Sequence, residues 1–300
     1  MMADLPGQPG VVLLAGATRP GPPNVSDMWT FAPDAGWREI TPATLPELAG
    51  FAPLTGNAFA FDTGSELAVF VDIEGNPWAY DSAMNSWADK PSGAGPTALL
   101  GAAMAYDSQS DRMIVFGGLD LATFSENNET WAYDVDAGPW ERMEPAKSPT
   151  PRNYSAMAYD AGSDRVILFG GAPASGVLGD TWAYNYDNDA WTELTPAASP
   201  PPRTYSGTVY DPQRDRMVLF GGSADQETAS LGDVWEYDLE SNRWTDVSPP
   251  GGPGARAWHA MACDGESGLI VVFGGGESRS GYTAETWLLD ATARSWRQAE

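Results

Sequence analysis

The chain has 300 residues, 42% hydrophobic and 11% aromatic, with 33 Gly and 25 Pro, which is long enough for a sizeable core and turn-rich enough for an all-β chain. Its formal net charge is −25, with two lysines, Lys90 and Lys147, so it lacks the basic footprint of a nucleic-acid binder and the attraction to anionic membrane surfaces. Lone Cys263 excludes an intrachain disulfide, and no apolar run reaches the roughly 18 residues that a membrane helix needs.

In chain order, the sequence reads as six edited copies of one unit. The first begins at VVLLAGA (11–17), continues through DMWTFAP and ends at GWREI. VVLLAGA has the length of a signal-peptide core, but it lacks a basic leader and fits the second-strand slot of the repeat. The second copy has a degraded first strand, GNAFAFD, and the third runs from LGAAMAYD to PWERM. The fourth, RNYSAMAYDAGSDRVILFGGAPASGVLGDTWAYNYDNDAWTEL (152–194), is the clearest: four short β signals separated by turn residues, as expected of an antiparallel four-stranded sheet. The fifth runs from PRTYSGTVYD to RWTDV and the sixth from ARAWHAMACD to SWRQA.

Tryptophan fixes the period. Third strands carry Trp29, Trp78, Trp131, Trp182, Trp235 and Trp287; fourth strands carry Trp37, Trp87, Trp140, Trp191, Trp244 and Trp296. A period near fifty with four strands per copy is the signature of radially arranged blades. The predicted fold is therefore an all-β, six-bladed propeller forming one domain over 1–300, with blades at about 11–40, 54–90, 99–143, 152–194, 203–247 and 256–298. The first copy has no evident first strand. Residues 2–9 fill that place, or the blade has three strands, or the chain is a piece of a longer protein. Pro6 and Pro9 disfavour a regular central strand, so a three-stranded or irregular first blade is expected.

The glycine pairs Gly117-Gly118, Gly170-Gly171, Gly221-Gly222 and Gly274-Gly275, followed by the aromatic of the third strand and the Trp of the fourth, resemble the kelch repeat over residues 11–300. The resemblance implies a kelch β-propeller of the galactose oxidase-like superfamily, whose members serve as adaptors, carbohydrate-binding modules and, occasionally, enzymes. A copper radical oxidase like galactose oxidase needs a histidine pair and a cysteine-linked tyrosine, which one histidine and one cysteine do not supply. No cofactor or metal is expected, and His-rich iron or zinc sites fail on the same count.

Successive turns alternate between the faces of a propeller, so the second-to-third loops and the blade connections share one face. Those loops are long and unlike one another, as in LDLATFSENNE, SADQETASLG and GESRSGYTAE, whereas the opposite turns are short and alike. Variable loops on a rigid scaffold are where binding tends to sit. Arg152, Arg203 and Arg256 start the first strands of three adjacent blades, followed by Tyr154, Tyr205 and Trp258. Arginine forks and aromatic faces at a channel mouth suit a carboxylate or sulfate on a sugar or an acidic peptide; the kelch resemblance implies the alternative, arginines that tie blades together. Leu54 and Leu99 take this slot in blades 2 and 3, making any site one-sided.

His259 replaces a Ser of other copies and is read as a hydrogen-bonding residue of the rim. Loop residues that break the repeat, Glu126, Asn128, Gln226, Glu277, Arg279 and Tyr282, complete the candidate set. Aspartates that recur at strand ends, from Asp62 to Asp264, read as turn caps, because a catalytic site breaks a repeat, and by the same logic Asp180 and Asp233 before third strands read as structural. The expectation is a monomeric, soluble, non-catalytic module binding a protein segment or an anionic carbohydrate, with cytoplasmic residence and export within a longer precursor both open. The alternative is a cofactor-independent sugar enzyme resembling the kelch sialic-acid mutarotases.

Overall fold

A computed structural model describes residues 1–4, 10–14, 28–44, 46, 58–97, 99–226, 228–277 and 281–299. It holds six four-stranded antiparallel sheets and a two-stranded hairpin, Leu119–Asp120 with Ser125–Glu126, in a blade 3 loop. No helix among the described residues is long and apolar enough to cross a membrane.

Blades 2 to 6 each follow the predicted order. Blade 4 is representative: Ala156–Asp160 is innermost, then Arg165–Phe169, Thr181–Asn185 and, at the rim, Ala190–Leu194. The middle strands are near-continuous apolar runs because they are covered on both faces by neighbouring blades. Six separate apolar clusters fill the six gaps between blades. One of them packs Met2, Val11 and Leu13 of blade 1 against Ala262, Val271 and Leu288 of blade 6, which closes the ring.

The expectation of an incomplete first blade is corrected. Met2–Asp4 pairs antiparallel with Val11–Leu14, giving blade 1 its fourth, innermost strand. Three residues suffice, and the strand ends at Asp4, before Pro6, so the proline argument applies only to residues beyond it.

Three of the six seams share one polar stitch. The fourth-strand Trp of one blade donates its Nε1–H to the third-strand Thr of the preceding blade: Trp191 to Thr130 Oγ1 at 2.9 Å, Trp244 to Thr181 Oγ1 at 3.0 Å, and Trp37 to Thr286 Oγ1 at 2.7 Å across the closing seam. Where Met28 stands in the Thr slot, the buried Nε1 of Trp87 has no partner.

A second device repeats inside the blades. A strand-ending Tyr donates to an Asp or Asn five residues on, whose backbone is left-handed. Tyr106 meets Asp111 (φ 57°), Tyr159 meets Asp164 (φ 56°), Tyr210 meets Asp215 (φ 54°) and Tyr184 meets Asp189 (φ 45°), all at 2.7–3.0 Å. Asp and Asn tolerate this conformation better than most side chains. The recurring aspartates Asp62, Asp107, Asp160, Asp211 and Asp264 are buried and accept backbone N–H groups of the same turns, as expected of caps.

Candidate functional site

The loop face meets the channel where the first strands of blades 4, 5 and 6 begin, and the three arginines stand there. Their main chains join neighbouring blades: Gly118, Gly171 and Gly222 N–H donate to the carbonyls of Arg152, Arg203 and Arg256 at 2.9–3.0 Å. The preceding glycine of each pair must be glycine. Its φ is positive (65° at Gly170), and a Cβ there would lie 2.6 Å from the Arg203 carbonyl oxygen.

The guanidinium groups turn inward, into their own blades. Arg203 is fully buried and donates to Pro201 O at 3.1 Å, Gly221 O at 2.9 Å and both carboxylate oxygens of Asp233 at 2.7 Å. Arg152 repeats this with Thr150, Gly170 O and Asp180. Arg256 contacts Gly274 O and one oxygen of Glu285, both at 3.0 Å. For Asp180 and Asp233, burial pushes the carboxyl upward, and donation from the paired arginine and the adjacent Trp Nε1 outweighs it, holding both below the usual carboxylate range. The anion-binding cluster expected from sequence thus gives way: these donors are already committed to carboxylates within the blade.

The aromatics beside the arginines do converge. The Tyr154 and Tyr205 rings are 4.4 Å apart, Tyr205 and Trp258 5.1 Å, and Trp258 meets Tyr282 edge-on at 6.2 Å. Backbone bonds run under the stack, from Tyr154 N–H to Gly101 O, Tyr205 N–H to Tyr154 O and Trp258 N–H to Tyr205 O. The rings form a continuous half-buried arc over three blades, with Tyr282 57% exposed at its end.

All three ring-bearing residues sit in the left-handed region, at φ 51°, 56° and 59°. Such a conformation is a genuine outlier for bulky residues. The equivalent residue of blade 3 is Gly101, at φ 71°, and the sequence puts Gly56 there in blade 2. A slot suited to glycine therefore carries a large ring in three consecutive blades.

The loops around the arc are stitched together. Gln226 Nε2 donates to Gly176 O at 2.8 Å, linking blades 5 and 4, and Ser230 Oγ donates to Glu277 O at 2.9 Å, linking blades 5 and 6. Asn128 Nδ2 reaches Pro149 O at 3.3 Å, and Glu126 lies in the hairpin whose tip exposes Leu121 and Phe124. Arg279 lies outside the described residues.

His259 makes one hydrogen bond, as an acceptor. Its ring packs on Phe220, Nε2 accepts from Gly207 N–H at 3.2 Å, and Nδ1 is buried without a partner. Burial, aided by nearby Arg256, pulls its pKa down to about 3, so it is neutral at physiological pH. Cys263 is buried, and burial with nearby aspartates pushes its thiol up to about 12. Among the described residues no three His, Cys, Asp or Glu side chains converge as a metal centre.

Residues 63–263 and 214–300 match the KLHDC2/KLHL20/DRC7 Kelch-repeats domain family. The chain belongs to the kelch-repeat family. It is 30% identical over 139 residues to Mei4-dependent protein 6 of Schizosaccharomyces pombe, covering 43% of this chain and 20% of that protein. It is 30% identical over 196 residues to Adagio-like protein 3 of Oryza sativa subsp. japonica (63% and 29%), and 31% over 157 residues to Adagio protein 3 of Arabidopsis thaliana (50% and 24%). The matched stretches span less than a third of each of these curated relatives. A kelch propeller is an interaction module in general, and the particular function must be argued from the site.

Proposed function

We propose that this kelch propeller is a non-catalytic binding module that receives a segment of another protein on its loop face, anchored by the arc Tyr154–Tyr205–Trp258–Tyr282. The observation that carries this reading is the arc itself: rings in unbroken contact, partly exposed, on a rim whose loops are tied to one another. Half-exposed aromatics on a rigid support are typical anchors, since they offer large contact area at low entropic cost. Three of the four exposed large hydrophobic side chains among the described residues, Leu121, Phe124 and Tyr282, also lie in loops of this face. A neutral sugar stacking on the same rings is the second reading. The committed arginines disfavour an anionic one.

Peptide-display selection against the wild-type protein, beside a glycan array, tests the proposal. Enriched peptides should lose at least about tenfold in affinity for Trp258→Ala, a hot-spot-sized effect. Peptides that bind this variant as well as wild type, or that are displaced by changes at Met84 on the opposite face, would overturn it.

A further inference from the structure

The partner segment is rich in proline. This rests on the reading above and adds the chemistry of the ligand: we infer that the arc Tyr154–Tyr205–Trp258–Tyr282 receives an uncharged, proline-rich segment in the polyproline conformation, with Trp258 Nε1–H donating to one of its carbonyls.

Spent backbone is the first argument. The N–H groups of Tyr154, Tyr205 and Trp258 all donate from blade to blade, to Gly101 O, Tyr154 O and Tyr205 O. Tyr154 O also accepts from Thr204 Oγ1 at 3.2 Å, so both of its lone pairs are used. A segment that docks by adding a strand needs free donors and acceptors along the edge it joins. The main chain of these three residues has no N–H to give, and an ordinary segment pressed on the rings would bury amide groups of its own unanswered. Proline carries no N–H, and the polyproline helix has no internal hydrogen bonds to exchange, so a proline-rich segment loses least here.

The tryptophan donor is the second. Trp258 Nε1 has no acceptor among the described residues and reaches solvent. Third-strand tryptophans behave otherwise: Trp131, Trp182, Trp235 and Trp287 each donate to the Asp or Glu two residues before them. Trp258 is also the one tryptophan outside the repeat slots. A half-buried ring with an open N–H takes a proline against its face and a carbonyl at its edge.

Ring spacing is the third. Steps of 4.4 Å from Tyr154 to Tyr205 and 5.1 Å from Tyr205 to Trp258, with planes tilted by 44° and 40°, make a row of shallow clefts. A polyproline helix repeats every three residues at about 3.1 Å each, so one turn runs the length of the two steps. Aromatic-lined surfaces hold such helices well because the helix is formed before it binds. Charge agrees: the arginines beside the arc are bound to carboxylates of their own blades, and none is left to attract an acidic segment.

Backbone strain is the fourth. Left-handed bulky residues are unfavourable, such strain gathers at functional sites, and glycine stands at this position in blades 2 and 3. The rings are therefore retained for their side chains rather than for the turn. A triple variant Tyr154→Gly/Tyr205→Gly/Trp258→Gly restores the residue that the conformation prefers and removes only the arc.

The test uses three uncharged, fluorescein-labelled peptides: a proline-rich sequence, its analogue with alanine for every proline, and its analogue with N-methylalanine, which lacks both the N–H and the ring. Each is titrated by fluorescence anisotropy against wild type, the triple glycine variant, Trp258→Phe, and Met84→Ala on the opposite face. The proline peptide should bind wild type at least about tenfold more tightly than the alanine analogue, with the N-methylalanine analogue between them, and the triple variant should lose about tenfold. Trp258→Phe keeps a ring without the N–H and should lose about fivefold, the size of one hydrogen bond. Met84→Ala should bind like wild type, and the triple variant should melt within about 3 °C of it. Proline and alanine peptides that bind equally, both lost with the arc, would overturn the proline inference and leave the arc as a docking site. Trp258→Phe binding as tightly as wild type would overturn the assignment of the Nε1–H donor and with it the inference as stated. Peptides that bind no better to wild type than to the triple variant would overturn both readings.

Discussion

Removing Arg203 should cost the fold more than it costs any ligand. Arg203→Ala deletes a fully buried guanidinium and leaves Gly221 O without its donor and Asp233 with Trp235 Nε1 alone. Breaking one side of a buried, hydrogen-bonded ion pair costs about 3–5 kcal/mol. At roughly 2 °C per kcal/mol in a domain of this size, the melting temperature should fall by about 6–10 °C. Arg256→Ala is the internal comparison. Its partner Glu285 is 39% exposed and offers a single 3.0 Å contact, so water can replace the arginine, and the loss should stay near 1–1.5 kcal/mol. Calorimetric melts of both variants, beside Arg203→Leu/Asp233→Leu, give the answer. The double variant removes both charges and should recover part of the loss, since apolar residues of similar volume replace buried pairs at little cost. A melting temperature for Arg203→Ala within 2 °C of wild type, or a larger loss for Arg256→Ala, would refute the account of these arginines as blade ties.

Acid should expose His259 before it reaches the carboxylates. Its folded pKa of about 3 lies below the ordinary 6.5, so the unfolded chain takes up its proton first and stability falls as pH drops from about 6.5 towards 3. At pH 4.5 that is two pH units, an upper limit of about 2.7 kcal/mol. Asp180 and Asp233, held low by arginine, weaken the fold only as pH falls below the unfolded carboxylate range. Urea midpoints of His259→Ser, the residue found at this slot as Ser155 and Ser206, should therefore change less between pH 7.5 and 4.5 than those of wild type; equal changes would contradict the assignment. At the seams, Thr181→Val and Thr286→Val each strand a tryptophan N–H, and both should lose about 1–2 kcal/mol in chemical denaturation. A harmless Thr286→Val would mean that the closing seam is held differently from an internal one.

The blades were legible because their signals are local and repeated: tryptophan at two fixed slots, glycine pairs, and aspartates at turns. Met2–Asp4 escaped because a three-residue strand carries no repeat signature and owes its place to the ring around it. The arginines read two ways, as ligand groups or as structural ties, because guanidinium chemistry is the same towards a substrate and towards an internal carboxylate. The signal that separates the two was present in the spacing, since Arg152 and Asp180, Arg203 and Asp233, and Arg256 and Glu285 lie 28, 30 and 29 residues apart. The arc was half legible. Its residues were singled out, but their left-handed backbone shows in sequence only through Gly56 and Gly101 at the matching slot. The direction of the His259 hydrogen bond was not legible, since residue type alone does not decide whether a neutral imidazole nitrogen accepts, as it does from Gly207 N–H, or donates.

The tyrosine bonds to the residue five positions on bear on how such a chain changes over time. Where tyrosine is missing, its Asp or Asn is missing too: Phe31 goes with Gly36, Phe61 with Glu66, Leu289 with Arg294 and Cys263 with Gly268. The partners keep a left-handed backbone in every case, at φ 75°, 59°, 51° and 70°. Tyr133 is the exception, with Gly138 five residues on and its hydroxyl donated to Pro91 O at 2.8 Å, so a tyrosine can outlive its couple where another acceptor answers its hydroxyl; elsewhere the two positions change together. An averaged blade built from the commonest residue in each column could mix members of different couples, so a designer of new blades from this chain should copy the two positions together.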